Sequence, residues 1–164
     1  MKKLTNLLNC NIEKIVFSLF CILTCLVSFF HEPWFDELQA WAISKDTLYN
    51  ILFVIPHYEG HPPLWHLILK CFSFFNVPFE YGLKIPNLLF MFGAVFLLIF
   101  KSPFPKPVRL LLPFTYFIFY QYSIISRPYS VFCFALFLVA FLYRLSYSYK
   151  HFKVIVLFYS FTII

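Results

Sequence analysis

Three short stretches of this 164-residue chain carry side chains able to do chemistry. The first is Trp34-Phe35-Asp36-Glu37, which follows directly on an uncharged run from Ile15 to Phe30. A carboxylate at the edge of an apolar run is ionised at neutral pH, so Asp36 could take a proton from an attacking hydroxyl or help hold a divalent metal, with Glu37 beside it as a second acid. Asp36 could equally be the N-cap of a following helix, with Gln39 closing a capping box; capping and catalysis are compatible, because a cap fixes the side chain a reaction would use. The second stretch is Tyr58-Glu59-Gly60-His61-Pro62-Pro63-Leu64-Trp65. Its two prolines fix the direction in which the chain enters the next helix and Gly60 permits a turn, so His61 stands at a rigid corner, where it could contact a phosphate or a metal or simply be solvated. The third is Ser126-Arg127-Pro128-Tyr129, where Arg127 is the lone charge between Arg109 and Arg144. Beside the N-terminus of a helix, Arg127 would favour an anion such as phosphate; the plainer alternative makes Arg127 and Tyr129 an anchor among lipid headgroups.

The elements that must hold these residues are apolar helices. The chain is 62% hydrophobic and 12% charged, with 25 Phe, and a soluble domain of this size could not bury that much apolar surface. Uncharged runs at 15–30, 85–100, 110–126 and 128–143 approach the roughly 17–25 residues of a membrane-crossing helix, and flanking Lys and Arg can extend them. A fifth run, 154–164, stops eleven residues in, so the chain reads as the N-terminal portion of something longer. Lys2, Lys3 and Lys14 precede the first run, but no small-residue cleavage site follows it, and an uncleaved anchor is expected. The five cysteines lack C-x-x-C spacing and read as packing residues rather than metal ligands or disulfides.

Charge sets an orientation. With the N-terminus inside, three clusters lie on the inner side: Lys2, Lys3 and Lys14; Lys101, Lys106 and Arg109; Arg144, Lys150 and Lys153. Glu13 is their sole acidic companion, and the other acids fall outside, which is the positive-inside pattern. Such dispersed clusters give no single basic patch, and nucleic acid is not an expected partner. The orientation requires residues 64–79 to lie in or on the outer leaflet rather than cross it, as Lys70, His66 and the flanking Pro63 and Glu80 allow. A second interfacial helix is expected from Asp36 to Phe53, where Leu38, Trp41, Ala42, Leu48, Tyr49 and Leu52 recur at threes and fours. The expected fold is therefore all-α: a polytopic transmembrane bundle in a cell (inner) membrane, N-terminus cytoplasmic, with interfacial helices in a long first external loop, 31–84.

In order, the motifs are one N-terminal span, an aromatic-Asp-Glu stretch, a His-Pro-Pro-Leu turn about 25 residues on, Lys84-Ile85-Pro86 opening a span, and Arg127-Pro128-Tyr129. That order, from about Lys14 to Tyr143, resembles the polytopic glycosyltransferases of the C superfold, above all the bacterial members related to protein O-mannosyltransferases and to the aminoarabinose transferase of lipid A. The resemblance implies inverting transfer of a hexosyl or pentosyl unit outside the cytoplasm, from a polyprenyl-phosphate donor to a hydroxyl on a lipid, glycan or protein. Asp36 matches the family's essential acid, as base or as a metal and acceptor ligand, and Glu37 is its weaker neighbour. His61 matches the His of the turn, and Arg127 and Tyr129 match positions that help build the pocket. Relatives often have Arg where this chain has Lys84, and Lys lacks the bidentate fork. Two other readings remain: a non-enzymatic polytopic protein such as a transporter subunit, and an inactive truncated remnant of a transferase.

Overall fold

Helix satisfies backbone amides within one segment, and in the computed structural model it is the regular structure of the chain, with no strand among the described residues. The structure describes residues 2–60 and 62–148, with side chains for 11–60 and 62–145. His61, and the run 154–164, lie outside the described residues. Seven α-helices follow one another: α1 (Lys2–Phe30), α2 (Phe35–Ser44), α3 (Pro56–Glu59), α4 (Leu64–Phe74), α5 (Phe79–Lys101), α6 (Lys106–Leu111) and α7 (Tyr129–Ser148). Two stretches, Asn11–Phe30 of α1 and the whole of α5, are long and apolar enough to cross a membrane.

The way α1 packs reverses the soluble pattern. Its inward line is Phe20, Thr24 and Ser28, one turn apart and buried, while Ile15, Ile22, Leu26, Phe29 and Phe30 are exposed. Thr24 turns its hydroxyl to the Phe20 carbonyl, 2.8 Å away, so its polar atom is satisfied inside its own helix. Small and polar residues facing protein, with large apolar ones facing out, is the arrangement a lipid solvent favours. Against α1 pack Met91, Val95, Leu98 and Ile99 of α5, with Ile118 closing the cluster. Closer approach is set by glycine: a Cβ on Gly93 would meet the Phe134 ring at 2.7 Å, and one on Gly82 the Trp41 ring at 2.4 Å. Gly82→Ala is therefore expected to force the buried Trp41 off its seat and destabilise the fold by about 1–3 kcal/mol, as overpacking does, read by thermal unfolding in detergent.

Contacts at the two ends show which way each segment runs. At one end Arg109 pairs with Glu13 at 2.9 Å and donates to the Ile99 carbonyl, and Arg144 donates to the Lys101 carbonyl at 3.2 Å. At the other, Lys84 Nζ donates to the His31 carbonyl at 3.0 Å, and the Ser126 amide reaches the Glu37 carboxylate at 2.7 Å. α1, α5, residues 106–126 and α7 thus run alternately between the two ends, and the segment 31–78 leaves and rejoins the bundle at one of them.

Two expectations need correction. Residues 110–126 are not one helix: α6 gives way to a 3-10 turn at Leu112–Phe114 and a π turn at Phe117–Tyr122. Pro113 has no amide to donate and clashes with a preceding helical turn, which explains the first break. The carbonyls freed by the second, on Tyr122 and Ser123, accept from the Asn87 side chain at 3.2 and 2.8 Å, and Ser123 Oγ donates to the Ile118 carbonyl. Asn87→Leu keeps the branched outline of the side chain with added bulk and leaves two carbonyls unpaired, and is expected to cost about 2–5 kcal/mol of stability. The proposed helix 36–53 is also divided. α2 ends at Ser44, Asp46 Oδ1 accepts from the Thr47 amide and from Asn50, and a π turn, Asn50–Val54, follows. Within 64–79, expected not to cross, stands an eleven-residue helix of about 16 Å, about half the hydrocarbon thickness. α4 stops before Asn76, whose φ of 55° is left-handed, and its Lys70 caps the Ser44 and Asp46 carbonyls at the end of α2. Trp65 and Leu69 of α4 are buried against Ala40, Trp41, Leu83 and Val131, so this helix is part of the packed body.

Candidate functional site

The N-cap of α2 is Trp34, two residues earlier than the sequence suggested. Trp34 offers no acceptor, so the reciprocal half of a capping box is missing. The half that forms is the Glu37 carboxylate on the Trp34 amide, at 2.8 Å, and Gln39 has no part in it. This register puts Asp36 and Glu37 in the first turn, where the positive end of the helix favours both charges. It also parts them by about 100° around the axis.

Glu37 consequently faces the interior, 1% exposed. Its Oε2 accepts from Trp34 N and from His31 Nε2 at 3.0 Å, and its Oε1 accepts from Ser126 N. One buried carboxylate thereby joins the end of α1, the start of α2 and the turn before α7. Asp36 faces out and is about half exposed; it pairs with Arg127, 91 residues further along the chain. The Arg127 guanidinium also lies over the Tyr129 ring, 5.6 Å from its centre. Because Ser126 is held by Glu37 through its amide, the residue after it is aimed back at the start of α2.

Around this pair is a polar cleft of about 50 Å³, lined by Asp36, Gln39, Glu59, Trp65, His66 and Arg127. Gln39 donates to Glu59 at 2.5 Å and ties α2 to α3, while Gly60, at φ 64°, ends α3 in the left-handed conformation that suits glycine. Trp65 and Pro128 also line a neighbouring apolar groove of about 380 Å³ between Leu64, Leu67, Val131 and Phe132.

Of the residues expected from sequence, Asp36, Glu37, Arg127 and Tyr129 are gathered at one place, and His61 is not described. Sequence reading overlooked His31, which holds Glu37, as well as Gln39, Glu59 and His66 in the cleft. His31 and Glu37 meet across an irregular turn, where no helical or strand period signals contact. As for a divalent cation on Asp36, the described residues contain no group of three His, Cys, Asp or Glu that could hold a metal, and the Asp36 carboxylate engages a guanidinium. Chemically the cleft offers an exposed carboxylate, a guanidinium with donors beyond those used by Asp36, and an adjoining apolar channel. Comparison with family models, with curated proteins and with solved structures finds no match for this chain.

Proposed function

We propose that this chain is a membrane glycosyltransferase, or the N-terminal part of one, that moves a sugar from a polyprenyl-phosphate donor to a hydroxyl acceptor at the extracytoplasmic face. The observation that carries this reading is the pairing of Asp36 with Arg127 beside an apolar groove. A base and a phosphate-binding cation then share one cleft, while a greasy tail has somewhere to lie. In this reading α1, α5, the broken segment 106–126 and α7 cross the bilayer, and the loop 31–84 lies outside. A broken segment is tolerated at membrane depth where protein groups meet its freed backbone, as the Asn87 side chain does for the carbonyls of Tyr122 and Ser123.

The donor phosphate takes Arg127 from Asp36, leaving the carboxylate free to accept a proton. The acceptor oxygen bonds to the anomeric carbon as that carbon's bond to the phosphate oxygen breaks. The bonding pair departs with the polyprenyl phosphate, whose charge Arg127 stabilises, and the acceptor's proton passes to Asp36. Attack opposite the leaving group inverts the anomeric centre. Glu37 holds both partners in register and touches neither reacting atom.

The break at Leu112–Tyr122 favours a second reading, a transporter subunit, since discontinuous helices bind ions and solutes in such proteins. Asn87 already occupies the freed carbonyls, which weighs against it.

Membranes holding the full chain, given labelled sugar on synthetic polyprenyl phosphates, should transfer label to an extracytoplasmic acceptor and should not do so from nucleotide sugars. Label that stays on every lipid donor tried would remove the enzyme reading. For orientation, single cysteines in a cysteine-free background at Tyr58, 85% exposed on α3, and at Phe104, in the α5–α6 connection, discriminate cleanly. An impermeant thiol reagent added outside intact cells should label the first and not the second; the opposite pattern would invert the topology.

A further inference from the structure

A further cavity lies at the other end of the bundle from Asp36. It is a groove of about 600 Å³ between the C-terminal half of α5 and α7, walled by Leu97, Leu98, Phe137 and Phe141. That size is within the roughly 300–1,000 Å³ usual for small-molecule sites. Lys101 and Arg144 stand on its rim, and both are exposed. Ser102 also lines it, with its hydroxyl oxygen turned away from the open groove, buried and without a hydrogen-bond partner. The local acid is Glu13, and it is engaged by Arg109; neither Lys101 nor Arg144 faces a carboxylate among the described residues. Two cations without counter-charge thus stand at the mouth of an apolar trough.

We infer that this groove seats an anionic phospholipid of the inner leaflet, with one acyl chain between α5 and α7 and its phosphate on Lys101 and Arg144. The Arg144 fork and the Lys101 ammonium suit a phosphodiester. A water-soluble phosphate would gain nothing from the phenylalanine walls. The chain's own residues 146–153 are a poorer occupant, because they bring Lys150 and Lys153, which would add to the positive charge. A second copy docking face to face would set the same two cations against each other. Under the orientation proposed above, this end meets the leaflet where anionic lipids attract basic residues. The seat does not depend on sugar transfer and would hold equally in a transporter.

The test is native mass spectrometry of the full chain in neutral detergent, with phosphatidylglycerol and phosphatidylcholine of identical acyl chains supplied together. Wild type should retain phosphatidylglycerol by about 10- to 30-fold over phosphatidylcholine, the preference expected of two interfacial cations, and the preference should fall as salt rises. Lys101→Gln with Arg144→Gln should abolish the preference. Ala140→Trp, which fills the trough and leaves both cations, should abolish retention, with elution volume showing that each variant is folded. Equal retention of the two lipids by wild type would overturn the proposal without the need of any variant. So would a preference that survives Ala140→Trp, since surface cations alone would then explain it, or displacement of the lipid by glycerol phosphate at equal concentration.

Discussion

Asp36→Asn is expected to lower sugar transfer by about 10²- to 10⁴-fold, the usual contribution of a positioned general base, while leaving donor affinity unchanged or improved. Asparagine fills the same space but accepts no proton at neutral pH. It also releases Arg127 from a competing carboxylate, so the phosphate of the donor no longer has to displace an ion pair. The complementary change, Arg127→Gln, should act chiefly on KM for the donor, and Arg127→Lys should recover only part of it, because a point charge replaces a planar fork. Neither change should alter folding by more than about 1 kcal/mol, since the pair is solvent-exposed and such pairs contribute little stability. Steady-state rates at varied donor concentration separate the two effects. If Asp36→Asn raised KM and left kcat alone, the carboxylate would be a binding group, and the base would have to be sought elsewhere.

That Asp36 and Arg127 share an end of the bundle was legible in the sequence, because the Lys and Arg clusters orient every long apolar run and place both residues at the same side. Their direct contact was legible only as a requirement of the chemistry. The division of labour between Asp36 and Glu37 was not, since it turns on the cap being Trp34: a shift of two residues in the helix start rotates each side chain by about 200°. The end of α2 at Ser44 was signalled by Asp46-Thr47, residues that bond their own neighbouring amides, but the apolar periodicity of 36–53 ran through that signal. Pro113 likewise marked the interruption of 110–126, whereas the π turn after it depends on Asn87 from another helix to satisfy its carbonyls. Local composition reports helix and solvent; it does not report which distant amide completes a broken turn.

Glu37→Ala is expected to cost about 3–5 kcal/mol, the penalty for removing one member of a buried charged network, and about 6–20 °C in melting temperature for a chain of this length. Alanine leaves the Trp34 and Ser126 amides without acceptors and frees His31 from its hydrogen bond, so three elements lose their common tie. Glu37→Gln is the sharper probe. A glutamine can present one carbonyl oxygen where the carboxylate presents two, so it must turn an amide N–H either toward Ser126 or toward Trp34 and His31, donor against donor. A fold retained at reduced stability, with donor KM raised and the pH profile of turnover unchanged, is the signature of a group that positions Arg127 and leaves proton transfer to Asp36. A shift in the pH profile caused by Glu37→Gln alone would instead put Glu37 in the proton path. A melting temperature equal to wild type in Glu37→Ala would show that the buried carboxylate ties nothing together, and the aim of Arg127 at Asp36 would need another cause.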